Sequence, residues 1–83
     1  MGLLSNKPWV NVYSREVGGT RGSEKLRVLV KLDVRMKKND VYEYKAYAVE
    51  LVTGEHFKDL SLDWFIKEDP EGIADILKEF KLR

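Results

Sequence analysis

Between Leu26 and Met36 the chain reads LRVLVKLDVRM, and apolar and polar side chains alternate almost without a break. Leu26, Val28, Val30, Leu32, Val34 and Met36 fall on one side. Arg27, Lys31, Asp33 and Arg35 fall on the other, with Leu29 the exception. Successive side chains of a strand point to opposite faces, so the pattern predicts a half-buried strand over about 25–36. Three cations then stand in a row on its exposed face.

Upstream, WVNVYSRE alternates with Val10 and Val12 opposite Trp9, Asn11 and Tyr13, which predicts a first strand after Pro8. Residues 1–7 carry no such pattern and are expected to be disordered. GGTRGSE marks a flexible loop over 17–24. It is not a Walker loop, because no Gly-Lys-Ser/Thr follows and it opens a strand rather than a helix; a flexible hairpin loop is the default reading and a phosphate cradle the lesser one. Lys37-Lys38-Asn39-Asp40 is a turn by composition, and VYEYKAYAVEL, rich in β-formers, is a third strand. If Met36 and Val41 close a four-residue loop, Val28 faces Val49 and Val30 faces Tyr47 on the core side. On the other side Lys31 meets Ala46, Asp33 meets Tyr44 and Arg35 meets Tyr42. A slip of one residue would exchange the faces of the third strand.

Val52-Thr53-Gly54-Glu55 predicts a tight turn with Gly54 at positive φ. HFKDLSL reads as a fourth, shorter strand, and Asp63-Trp64-Phe65-Ile66 as a single turn or short helix that drives aromatics into the core. The last element is a helix. Asp69 is its N-cap, Pro70 takes the first helical position and Glu71 the first turn. Ile73, Ile76, Leu77 and Phe80 form one apolar stripe, and Lys78, Lys81 and Arg83 suit the C-terminal end of the dipole. A helix of about 12 residues is marginal alone, so it must dock on the sheet. The expected fold is α+β in β-β-β-β-α order: one domain over 1–83, a curved antiparallel sheet of three to four strands, and one C-terminal amphipathic helix on one face.

Length and composition agree with one small domain, since 83 residues leave no room for a second core. Hydrophobic residues at 43% and charged residues at 35% describe a globular chain. Absence of cysteine removes disulfides and thiolate zinc sites, and a single histidine removes multi-histidine metal sites. No metal or cofactor is expected. No apolar run approaches the roughly 20 residues that span a bilayer. Met1–Pro8 lacks the features of a secretory signal, and Asn6 stands where a myristoylation pattern wants Ser or Thr. A soluble cytoplasmic protein is the expectation. The lack of Gln and Cys beside abundant Lys and Glu fits a thermophilic source.

The net charge of +1 conceals an asymmetry. Residues 1–50 hold ten Lys or Arg against six acids, and residues 51–83 hold five against eight. Such segregation concerns partners rather than fold. For catalysis the material is thin. His56, at a hairpin turn, would need a nucleophile or an orienting carboxylate, with Glu55 and Asp59 the nearest in sequence. Glu68, Asp69, Glu71 and Asp75 lack the spacing of a calcium loop and read as helix capping and a solvated face. No nucleophile elbow, dinucleotide fingerprint or zincin motif occurs, so no enzyme is expected.

Binding fits better. Arg27, Lys31 and Arg35 on the second strand and Tyr42 and Tyr44 on the third would share one exposed face, with Lys37 and Lys38 at its end. Arg21 and Lys25 would extend the rim, and Ala46 and Ala48 would leave the face shallow. Cations suit phosphates and rings suit unpaired bases, so single-stranded DNA or RNA is the expected ligand. The alternative is a protein partner, bound through the same face or an edge strand. Alternating Arg and Lys also serve plain solubility, and cross-strand Tyr–Arg pairs stabilise hairpins. The order β-β-β-β-α, ending in DLSLDW and a helix, is similar to the half-domain of transcriptional coactivators that dimerise and bind single-stranded DNA. That architectural resemblance, echoed in residues only at Leu60-Ser61-Leu62 to Trp64, implies a homodimer with the helix at the interface.

Overall fold

The computed structural model describes residues 7–82 and is α+β, with a four-stranded antiparallel sheet followed by two helices. Strands β1 (Val10–Arg21), β2 (Glu24–Lys38), β3 (Val41–Glu50) and β4 (His56–Asp59) are neighbours in chain order. Helices α1 (Leu62–Glu68) and α2 (Pro70–Glu79) complete the chain. Of the segment 1–7 expected to be disordered, all but Lys7 lies outside the described residues. No helix among these residues is long and apolar enough to cross a membrane.

The alternating face of β2 is the floor of the core. Val28, Val30, Leu32 and Val34 are at most 2% exposed, and Leu62, Phe65 and Ile73 from the helices close over that floor. The chain is thus two layers, with Cα extents of 48 × 32 × 14 Å. The second face of the sheet carries no helix among the described residues.

The short helical segment expected around 63–66 is a full helix, α1, so two helices rather than one follow the sheet, because two caps act in succession. Ser61 Oγ accepts the Trp64 N–H at 3.2 Å, so α1 starts at Leu62 and the fourth strand stops at Asp59. Asp69 then serves both helices. Its N–H donates to the Phe65 carbonyl at 2.9 Å, and its Oδ1 accepts the Gly72 N–H at 3.2 Å. Its Oδ2 accepts the Tyr13 hydroxyl at 2.9 Å, which ties β1 to the helix junction. Burial, then the bond to Asp69, pushes the Tyr13 phenol above its ordinary value. Glycine at position 72 leaves room for this cap, since a Cβ there would displace the Asp69 carboxylate.

The loop expected over 17–24 is mostly strand. β1 and β2 stay paired out to Arg21 and Glu24, and only Gly22 and Ser23 turn the chain, with Gly22 at φ +62. Near the other end of β1 a bulge between Asn11 and Tyr13 re-aims the strand. Tyr13 therefore leaves the expected company of Trp9 and Asn11. It lies opposite Leu32 and meets the Phe65 ring edge-on at 5.3 Å.

The consequential correction is the β2–β3 register. Val28 pairs with Glu50, Val30 with Ala48, Lys31 with Tyr47 and Leu32 with Ala46, one residue away from the expected pairing. A bulge between Met36 and Lys38 absorbs Lys37, and the hairpin turns on Asn39 and Asp40, the latter at φ +55. Packing explains the choice. Ala46 and Ala48, 7% and 0% exposed, share the buried cluster with Leu62 and Phe65, where small side chains let the helices approach the sheet. The expected register would force Tyr47 and Val49 under the helices and turn two alanines to water.

Candidate nucleic-acid interface

On the helix-free face, strand pairing arranges side chains in rows. Glu16, Leu29, Val49 and His56 form one, and Ser14, Lys31, Tyr47 and Asp59 the next. Asn11, Asp33 and Lys45 follow, then Arg35 and Glu43. At the centre stands Asp33, only 6% exposed. Its carboxylate accepts the Tyr47 hydroxyl at 2.7 Å and the Asn11 amide at 2.9 Å. A buried carboxylate persists only with such partners. Burial, then the bond to Asp33, pushes the Tyr47 phenol up to about 12. Tyr47 is therefore a neutral donor at any physiological pH, and its ring is fixed in place.

Cations and rings alternate around this centre. The Arg35 guanidinium lies 4.3 Å from the Trp9 ring centre and the Lys45 ammonium 4.7 Å from it, while Lys45 is 5.6 Å from the Tyr47 ring. Such contacts hold a cation over a ring face. The His56 ring lies 6.4 Å from Tyr47 at 20° to it, and His56 Nε2 is 3.1 Å from Asp59 Oδ1. Of the two carboxylates nearest His56 in sequence, Asp59 is thus the one beside it, yet the neighbouring Tyr47 hydroxyl is committed to Asp33. Among the described residues, no group of three or more His, Cys, Asp or Glu comes together to hold a metal.

The structure separates the residues singled out from the sequence. Arg27, Lys31 and Arg35 do share the open face. Arg27, however, is clamped on Glu16 through Nε at 2.8 Å and Nη2 at 3.0 Å, and this pairing lowers the Glu16 carboxyl. Arg35 Nε is 2.5 Å from Glu43 Oε2. Lys31 and Lys45 have no carboxylate partner among the described residues. Lys37 and Lys38 are exposed at the end of the β2–β3 hairpin. Tyr42 and Tyr44 are not beside the cations. Both alternate with Ala46 and Ala48 onto the helix side, where Tyr42 meets Phe80 edge-on at 5.0 Å and Tyr44 lies opposite Val34. No family model, no curated protein and no solved structure matches this chain. The likeness to coactivator half-domains therefore rests on element order, from which the second helix departs, and function has to be read from the site.

Sequence reasoning missed Trp9, Lys45, Tyr47 and His56 as members of this face. The usable signal was the Ala46/Ala48 pair, since small side chains two apart mark the place where a helix sits close.

Proposed function

We propose that the helix-free sheet face binds single-stranded nucleic acid and carries out no reaction. The observation that carries this reading is the interleaving of Trp9 and Tyr47 with Arg35 and Lys45 on an uncovered sheet. Rings on a flat face stack unpaired bases, and cations between them meet the phosphates. Duplex DNA would instead need an element that enters a groove. On this face Lys31 and Lys45 can meet phosphate without giving up a carboxylate among the described residues, whereas Arg27 and Arg35 must first release Glu16 and Glu43. With two to four phosphates engaged, log affinity should fall against log salt with a slope of about −1.4 to −2.8.

Anisotropy of a labelled single-stranded 15-mer, titrated between low and moderate salt, tests the reading. Trp9→Ala with Lys45→Ala should weaken binding by about tenfold or more, in line with the loss of one stacking ring. Absence of binding at low salt, or full affinity in the double variant, would overturn it. A protein partner is the second reading, favoured by the outer edge of β1, which has no strand neighbour among the described residues over Val10–Arg21. Addition of a partner strand there would protect β1 amides from hydrogen exchange.

A further inference from the structure

The open face ends in a cavity of about 260 Å3 lined by Lys45, Ala46, Tyr47, His56 and Asp59. We propose that this cavity holds one unpaired base against the Tyr47 and His56 rings and prefers guanine. The inference deepens the nucleic-acid reading and rests on it. The two rings are 20° from parallel with centres 6.4 Å apart. The Tyr47 hydroxyl is engaged by Asp33, and His56 Nε2 by Asp59. Both rings line the cavity, and a base is bound by its faces.

Asp59 supplies the choice among bases. Its side chain is 89% exposed, and only Oδ1 is used, by His56. The carboxylate is an acceptor only. Guanine presents two adjacent donors, N1–H and the N2 amino group, which match a carboxylate side by side. Adenine and cytosine each set one amino group beside an acceptor nitrogen. Thymine and uracil flank their single N–H with two carbonyls, which a carboxylate repels. The Lys45 ammonium borders the same cavity and would take the flanking phosphate, which positions the strand without reading sequence.

Thymidine 12-mers carrying a central G, A, C or T, compared by anisotropy at low salt, test the proposal. The guanine oligonucleotide should bind about fivefold or more tighter than the all-thymidine one, the range of one good base-edge contact. In Asp59→Ala that ratio should fall to near one. Equal binding of all four by the unaltered protein would overturn the pocket while leaving the nucleic-acid reading intact. Retention of the preference in Asp59→Ala would overturn the role of Asp59. Failure of every oligonucleotide to bind would overturn the underlying reading, and this inference with it.

Discussion

Replacing Tyr47 by Phe removes one hydroxyl and keeps the ring, so it separates what Tyr47 does for the fold from what it offers a ligand. Asp33 is 6% exposed and accepts from Tyr47 and Asn11. The variant leaves the carboxylate with the Asn11 amide as its one side-chain donor. Loss of a hydrogen bond to a charged, buried acceptor costs about 1.5–3 kcal/mol. Asp33 lies on the open face, where water can replace part of the loss, which places the expectation near 2 kcal/mol. For a domain of this size that lowers Tm by about 10 °C. Urea unfolding at pH 7 measures it, and a cycle with Asp33→Asn isolates the pair. A coupling below about 0.5 kcal/mol would refute the reasoning, because water would then serve Asp33 as well as Tyr47 does.

The same variant has a signature in pH. The Tyr47 phenol titrates at about 12 in the folded chain, and an unfolded tyrosine near 10. Below pH 10 both states keep the proton and the full contribution is present. As pH rises from 10 toward 12 the unfolded chain sheds the proton first, so stability is lost across that window. Tyr47→Phe lacks this component, and its stability should fall less steeply above pH 10. Because the ring remains, its oligonucleotide affinity should stay within about twofold of the parent.

Three further outcomes are expected. Leu29→Cys with Val49→Cys should form a disulfide, since the two residues are cross-strand partners on the open face; free thiols under air oxidation would indicate the alternative register. Gly19→Ala should destabilise by about 1–3 kcal/mol, because its Cβ would lie 2.8 Å from Val28 Cγ2, whereas Gly18→Ala meets nothing within 4 Å and should be neutral or slightly stabilising; urea midpoints of the two variants provide the comparison. Asp69→Ala removes the cap of α2 and the partner of Tyr13 together and should cost about 2–3 kcal/mol; an effect confined to the cap, about 1 kcal/mol, would mean that the Tyr13 bond adds nothing.

The sequence by itself determined the order of the main elements and the buried face of the central strand. Alternation from Leu26 to Met36, the Gly54 turn and the Asp69-Pro70-Glu71 cap are local signals, and local geometry answers them directly. What only the tertiary structure decided is which side of β3 meets the helices. Its alternation fits either register, because each face holds residues that tolerate burial. The choice fell to the space beneath Leu62 and Phe65, which admits Ala46 and Ala48 and excludes Tyr47, and to the bulge at Lys37 that allows the shift. The bulge at Val12 and the bond from Tyr47 to Asp33 are likewise contacts between residues distant in sequence. The basic stripe on β2 was therefore legible, while its aromatic neighbours were not: Tyr42 and Tyr44 went to the helix side of the sheet, and Trp9, Tyr47 and His56 took the open face. A one-residue shift in pairing moves every side chain of a strand to the opposite face, and packing against the helices sets that shift.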